Sequence, residues 1–292
     1  MNWLITGAGG MLGRDLRAVL AGAGEAVTAP TRAELDITDP AALRAAVAGH
    51  DVVLNAAAWT DVDAAETAEA AATAVNGDAV AALAQACAAG GAVLLHPSTD
   101  YVFPGDGATP YAEDAPTDPI NAYGRGKLAG ERAVLSILPE TGYVVRTAWL
   151  YGEHGKNFVQ TMLALAARRE TLDVVDDQRG QPTWSYALAR QLVALAGSGA
   201  PAGVYHGTAA GETTWYGLAR AVFAAAGLDP ERVRPTTSDR FPRPARRPAY
   251  SVLGHDRWAG SGVPVQPDWR DQLAEALGRP GFRALFPSGD VQ

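Results

Sequence analysis

The chain begins Met1-Asn2-Trp3-Leu4-Ile5-Thr6-Gly7-Ala8-Gly9-Gly10-Met11-Leu12-Gly13, a short apolar run that passes straight into glycines spaced G-x-x-G-x-x-G. Arg14 to Leu20 then reads as a helix. Glycines at this spacing permit a tight turn, a close backbone approach to a pyrophosphate and close packing of helix on strand. The helix start presents free N–H groups and the positive end of a dipole to an anion. A glycine motif alone says little, but at the turn of a strand–turn–helix unit it predicts a dinucleotide site. Gly7, Gly10 and Gly13, with Met11 and Leu12 between them, are its expected residues.

The following segments repeat the alternation. Ala26 to Ala29 reads as a second strand, ending at Pro30-Thr31-Arg32. An acid at this point usually meets a ribose 2′-hydroxyl; none stands at the strand end, and Thr31 and Arg32 suit a 2′-phosphate instead. NADPH is therefore the expected cofactor, with NADH tolerated. Leu35-Asp36-Ile37-Thr38-Asp39 leads to an N-cap with Pro40 at the first helical position. Val52-Val53-Leu54-Asn55 is a strand running into Ala56, Ala57 and Ala58, small residues that leave room for a cofactor. Thr60-Asp61-Val62-Asp63 and Glu66 read as a solvated loop and an acidic helix start. Val75 to Ala89 is a helix stopped by Gly90-Gly91. Strand, helix, strand, helix, strand, helix, strand makes a doubly wound parallel sheet, whose ligands gather at the C-terminal strand ends.

Catalytic candidates lie at such an end. Val93-Leu94-Leu95 is a buried strand, with Ser98-Thr99-Asp100-Tyr101-Val102-Phe103 just beyond it. Tyr123 and Lys127 stand four apart at the start of a helix, so the phenol and the ammonium share one face. Thr99 is placed to hold a ketone oxygen and Tyr123 to give it a proton, with the lysine expected to lower the phenol pKa.

Bulk properties exclude other classes. A formal net charge of −8 and the lack of any Lys/Arg run argue against nucleic acid. No apolar stretch of about 20 residues exists to cross a bilayer. The single cysteine, Cys87, sits in an apolar helical pattern and reads as packing; with no basic leader segment, the expectation is a reducing cytoplasm. The five histidines, His50, His96, His154, His206 and His255, show no ligand spacing, and His96 and His206 read as packing residues.

In the C-terminal half, 172–176 reads as a strand and 185–196 as a helix returning to the main sheet. Residues 203–206, the helix 215–226 and 268–277 suit a smaller lid. The expected division is 1–149 for the dinucleotide domain, joined by about 172–200, and 150–292 mainly for substrate. The stretches 104–119 and 238–248 are Pro-rich loops, and Arg243, Arg246 and Arg247 in the second suit a diphosphate.

The glycine corner, Leu35 to Asp39, Asn55 to Ala58, Ser98 to Phe103, Tyr123 with Lys127, and Arg146-Thr147-Ala148-Trp149-Leu150-Tyr151 resemble, in this order, the extended short-chain dehydrogenase/reductase family. Asn157-Phe158, Asp177 to Thr183, Thr213-Thr214-Trp215 and Arg247-Pro248 extend the resemblance along most of the chain. It implies an α/β Rossmann-type doubly wound parallel sheet with a smaller α/β substrate-binding domain, and Thr99, Tyr123 and Lys127 as catalytic triad. Asp36 and Ile37 join the cofactor set, along with Tyr123 and Lys127, the latter on the nicotinamide ribose. Asp100, Tyr101, Trp149 and Asn157, with Thr99 and Arg247, become the substrate set. The implied activity is NADPH-dependent reduction of the C4 ketone of dTDP-4-dehydro-6-deoxy-L-mannose to dTDP-L-rhamnose. The alternatives are a 4-ketoreductase for another dTDP-deoxysugar and a non-catalytic NADP-binding regulatory subunit. Dehydratases of the family carry Thr-Asp-Glu where this chain has Thr99-Asp100-Tyr101, which removes an elimination base. Some family members dimerise around magnesium; Asp15 occupies one such position, but no acid stands near Trp184-Ser185-Tyr186-Ala187, leaving a metal-linked dimer in doubt and either a monomer or a homodimer expected.

Overall fold

A computed structural model describes residues 1–286 of the 292. Its strands are β1 (Asn2–Thr6), β2 (Ala26–Thr28), β3 (Val52–Asn55), β4 (Val93–Thr99), β5 (Gly142–Thr147), β6 (Leu172–Val175), β7 (Gly203–His206) and β8 (Val233–Thr236), besides two- and three-residue pairings. Six of them form one sheet in the order β7-β5-β4-β3-β1-β2, every neighbour parallel. All of β3 and β5 is buried, as befits strands covered on both faces. The chain runs outward from β1 to β2, then reverses through β3, so the crevice opens beyond Thr6 and Asn55.

The principal helices are α1 (Met11–Gly22), α2 (Pro40–Val47), α3 (Val62–Thr67), α4 (Ala79–Gly90), α5 (Ala122–Ile137), α6 (Phe158–Ala166), α7 (Ser185–Gly197), α8 (Trp215–Ala225) and α9 (Trp269–Leu277). Asp39 caps α2 by accepting from the N–H groups of Ala41 and Ala42, with Pro40 at the first position. The helix expected from Val75 opens instead with a π-helical turn, Ala74–Asp78, before α4. That wide turn faces α5, where Gly130 lets the Asn76 carbonyl close in: a Cβ there would lie 2.3 Å from it.

One core lies between the sheet and α1 and α7, where Leu12, Leu16 and Leu20 meet Leu188, Leu192 and Leu195. A second core, beneath the parallel pair β6–β8, collects Val159, Leu163, Leu218, Phe223, Trp269 and Leu273 from α6, α8 and α9. The chain thus enters the second unit after β5, returns for α7 and β7, and leaves again. Two expectations change here. Residues 203–206 are not part of a lid: they are the edge strand β7 of the main sheet, paired residue for residue with Tyr143 to Arg146. The joining segment is accordingly 185–206 rather than 172–200, because among the described residues β6 pairs only with β8.

Leu188 is fully buried where α7 meets α1. Leu188→Ala should lower unfolding free energy by about 2–5 kcal/mol, read as a lower urea midpoint; a loss below ~1 kcal/mol would show that α7 is not integral to this core.

Candidate active site

The glycine corner sets the first boundary of the site. Gly7 has φ +67°, and a Cβ on it would lie 2.6 Å from Ala57 N and 2.7 Å from the Ala56 carbonyl. A Cβ on Gly13 would lie 2.3 Å from the Gly7 carbonyl oxygen. Helix α1 therefore sits directly on the turn. Its N-cap is Gly10, with no side chain capping it and no acid in its first turn. A Cβ at Gly9 would meet nothing within 4 Å, so open space faces this helix end. Met11 and Leu12 open α1 itself. Ala56 and Ala57 are half-buried across the corner, and Ala58 is exposed just beyond. The cradle fits a dinucleotide pyrophosphate.

Arg32 is exposed in the turn after β2 and forms no ion pair among the described residues. Asp36 is exposed nearby; its carboxylate accepts from the Thr38 N–H and hydroxyl at 2.9 and 2.7 Å, which hold its pKa down. Ile37 packs against the core behind β3 and β4.

Thr99 ends β4, and Asp100–Val102 forms a 3₁₀ turn. Helix α5 is pressed onto that turn: a Cβ on Gly124 would lie 2.2 Å from the Tyr101 carbonyl oxygen. Asn121 starts the helix by accepting from the Gly124 N–H at 2.8 Å, while its amide donates to the Arg246 carbonyl at 3.0 Å. The first turn of α5 thus delivers Tyr123 beside Thr99 and Tyr101, the Tyr101 and Tyr123 rings meeting edge-on at 6.0 Å. Thr99, Asp100, Tyr101, Tyr123 and Trp149 line one cavity of about 250 Å³. Lys127, one turn further along α5, donates to the Pro97 carbonyl at 2.8 Å.

Burial governs the protonation states. It pushes Asp100 up to about 6, against hydrogen bonds that include the Thr99 hydroxyl at 3.0 Å. It raises the Tyr123 phenol above its ordinary value, helped by the Asp100 charge and opposed by the Thr99 hydroxyl. The expected lowering by Lys127 is not among the causes acting on this phenol, and burial outweighs the Thr99 hydroxyl. Lys127 itself is pushed down to about 8 by burial, with Glu131 acting the other way.

Trp149 is the one non-glycine residue with positive φ among the described residues, at +46°. Such a conformation costs roughly 1–3 kcal/mol. Its indole stacks on Trp215 with centroids 3.5 Å apart and planes within 7°, and a Cβ on Gly180 would strike the ring at 2.7 Å. Trp215 also walls a neighbouring cleft of about 470 Å³ with Tyr101, Phe158, Gln178, Arg243 and Arg247. Arg247 donates to the Ala245 carbonyl at 2.8 Å and pairs with Asp63 at 2.9 Å; Arg243 lies 3.6 Å from the same carboxylate. Arg246 contributes only its carbonyl, to Asn121, and does not line the cleft. Asn157 lines neither cavity: it is the N-cap of α6, accepting from Gln160 N–H and donating to the Gly152 carbonyl.

Three participants were not singled out by the sequence. Asp63 is not merely a solvated acid, since it ties α3 to the arginine loop. Glu66 likewise accepts from the Ala122 N–H at 2.8 Å, fastening α3 to the start of α5. Trp215 supplies the stacking partner of Trp149. His96, expected as packing, contacts Lys127. Asp15 is buried, and its carboxylate accepts from Ser185 Oγ at 2.5 Å. Among the described residues no cluster of three or more His, Cys, Asp or Glu side chains is placed to hold a metal.

The parallel sheet and the glycine corner are those of a Rossmann-type dinucleotide-binding protein. Within that class the chain belongs to the RmlD substrate binding domain family, whose model matches residues 1–280. It is 57% identical over 282 residues to a dTDP-4-dehydrorhamnose reductase of Streptomyces griseus, covering 94% of this chain and 93% of that one. It is 55% identical over 278 residues to a dTDP-4-keto-6-deoxy-D-glucose reductase of Streptomyces niveus, covering 94% and 96%. The crystal structure of the dTDP-4-dehydrorhamnose reductase of Bacillus anthracis in complex with NADP superposes with a TM-score of 0.91 at 34% identity, covering 94% of this chain and 98% of that one.

Arg247→Ala should raise KM for a diphosphate-linked substrate by about 10–100-fold with little change in kcat, the loss of a charge-assisted hydrogen bond made equally in ground and transition states; an unchanged KM would remove Arg247 from the binding set. The Lys127 ammonium is present below about pH 8 and is lost above it. The rate at saturating substrate should therefore fall on the alkaline side of about pH 8 in a kcat–pH profile, and a Lys127→Met variant should lack that limb.

Proposed function

We propose that this chain reduces the C4 ketone of dTDP-4-dehydro-6-deoxy-L-mannose to dTDP-L-rhamnose, using NADPH. The observation that carries the reading is the single small cavity in which Thr99, Tyr123 and Trp149 converge, between the glycine corner and the cleft lined by Arg243 and Arg247. The diphosphate lies against the two arginines, the nucleotide base against Phe158 and Trp215, and the sugar against Trp149. Residues 1–149 with 185–206 hold the cofactor; the remainder holds mainly the substrate. The site is built within one chain, so a monomer or a homodimer serves it equally.

The bound nicotinamide supplies the hydride, and Lys127 holds its ribose. The chain manages the proton. Thr99 turns its hydroxyl from Asp100 to the ketone oxygen, and the protonated Tyr123 donates to that oxygen as negative charge develops. Burial of the phenol keeps the proton in place until then, and the Lys127 ammonium is held one helical turn away on the same face of α5. Tyr101 stands where an eliminating relative needs a carboxylate, so the sugar is reduced and not dehydrated. The NADP-bound relative and the exposed Arg32 support NADPH over NADH.

Purified protein mixed with NADPH and the 4-ketosugar nucleotide should consume nicotinamide absorbance and yield dTDP-L-rhamnose. Tyr123→Phe should lower kcat by about 10²–10⁴-fold while leaving NADPH affinity near wild type. Turnover unaffected by that change would overturn the mechanism. The 55% identity to the Streptomyces niveus reductase favours one second reading, in which dTDP-4-keto-6-deoxy-D-glucose is the substrate. The ratio of kcat/KM for the two ketosugars decides between them.

A further inference from the structure

Three buried polar side chains form a line across the sheet to Lys127. Lys127 Nζ lies 3.2 Å from His96 Nε2, His96 Nδ1 lies 3.0 Å from the Asn55 side-chain amide, and Asn55 Oδ1 lies 2.6 Å from Thr6 Oγ1. Thr6 and His96 are wholly buried, and Asn55 and Lys127 almost so, on β1, β3, β4 and α5. Gly130 admits the imidazole to the helix: a Cβ there would lie 3.3 Å from His96 Nε2. Thr6 is followed at once by Gly7, so the line joins the lysine to the strand end that carries the glycine corner.

Donor and acceptor chemistry restricts what this line can do. An ammonium only donates, so the imidazole nitrogen facing it must be the unprotonated one. His96 Nδ1 then carries the ring proton and must donate, which requires the Asn55 amide to present its oxygen to the ring and its NH₂ to Thr6. As placed, the amide shows the opposite face, an arrangement that suits a neutral amine at Lys127; a half-turn of the amide interconverts the two. His206 shows the ammonium-type pattern with no such choice. Its Nδ1 faces the Gly254 carbonyl at 2.9 Å and its Nε2 faces the Arg146 guanidinium at 3.4 Å, so the ring is neutral and accepts from the cation.

We infer that His96 is a positioning residue for the reductase. Its neutral ring, clamped by Asn55 and Thr6, accepts a hydrogen bond from the Lys127 ammonium and, with the Pro97 carbonyl, fixes that charge one helical turn from Tyr123. This deepens the proposed function and rests on Lys127 serving catalysis. The charged and titratable groups around the pair are few. From α5 come Tyr123 and Glu131, and from β5 comes Arg146, which pairs with Glu131 at 2.8 Å and so spends that carboxylate. Strands β1 and β3 contribute only the neutral Thr6 and Asn55. Burial and the Lys127 charge both hold His96 well below the usual histidine range, so the ring stays neutral at working pH.

The test uses the full-length enzyme, with two variants and one measurement on the unaltered protein. His96→Leu removes the acceptor; kcat should fall about 10–100-fold, the loss of a hydrogen bond to a charged group. The alkaline limb of the kcat profile should move to lower pH, because the ammonium has lost a stabilising partner. His96→Gln restores an acceptor and should recover kcat to within about threefold. Nitrogen-15 NMR of the wild-type imidazole, at a pH below the limb and without substrate, should show the proton on Nδ1. A His96→Leu variant with wild-type kcat and limb overturns the inference, as does equal loss in both variants with an unmoved limb. If His96→Leu does not fold, the NMR result decides: an Nε2–H tautomer or an imidazolium overturns it. An enzyme that turns over no ketosugar defeats the functional reading, while the NMR signal still reports on the hydrogen bond.

Discussion

The structure depends on a contact that only the absence of side chains permits. With Gly13 against the Gly7 carbonyl and Gly7 against Ala56 and Ala57, α1 begins at the junction of β1 and β3. A single methyl at Gly13 would have to displace backbone from 2.3 Å. This proximity fixes where α1 can lie, and α1 in turn is the seat of α7 through the two leucine rows. Because α7 arrives from the second unit and leads into β7, the placement of the substrate wall is inherited from the glycine corner. The uncapped helix end and the cleft are therefore held in register through α7, whose leucines lie in the first core while Tyr186 and Ala187 pack on the second. No flexible tether is needed to explain how a hydride donor and a sugar are brought to the same point.

Around the reacting centre the chain places ionisable groups out of water and then satisfies each differently. Glu131 and Arg146 neutralise one another, the guanidinium also lying 4.9 Å over the Phe103 ring and donating to the Glu113 carbonyl. Asp100 keeps one oxygen on the Thr99 hydroxyl, and burial outweighs the hydrogen bonds from Ser251 and Thr99 in raising its pKa. Lys127 has the Pro97 carbonyl and His96. Buried charges are costly unless paired and hydrogen-bonded, and here only the groups nearest the sugar are left partly unsatisfied. The strained Trp149 fits this pattern. Ring stacking contributes about 0.5–1.5 kcal/mol, at the lower end of its backbone cost, so the close wall at Gly180 must hold the indole as well as Trp215.

Much of this was legible in the sequence because it is local. Gly7 to Gly13, the Asp39-Pro40 helix start and the Tyr123–Lys127 spacing each report on backbone within a turn or two, and each folds as read. The edge strand Gly203–His206 was misplaced because four residues flanked by Gly and Pro carry no sign of which sheet they join. That choice is made by α7 packing on α1, a contact between segments some 170 residues apart, the separation of Asp15 and Ser185. Asn157 has a structural part that its sequence reading did not name: an Asn before an apolar run caps a helix, and here its oxygen accepts from the Gln160 N–H.

His96 shows a different limit. In sequence it is a histidine inside an apolar strand, for which packing is the ordinary reading. Only the approach of α5, allowed by Gly130, brings Lys127 to its Nε2, and only the neighbouring strands supply Asn55 and Thr6. An apolar side chain at this place would fill the same space and leave the lysine with one carbonyl. The ammonium would then be freer to turn and easier to deprotonate, since a cation in a dry site is retained by the acceptors that face it. The reactive pair on the helix is thus sequence-local, whereas the charge that makes it work is held by residues from three strands of the sheet.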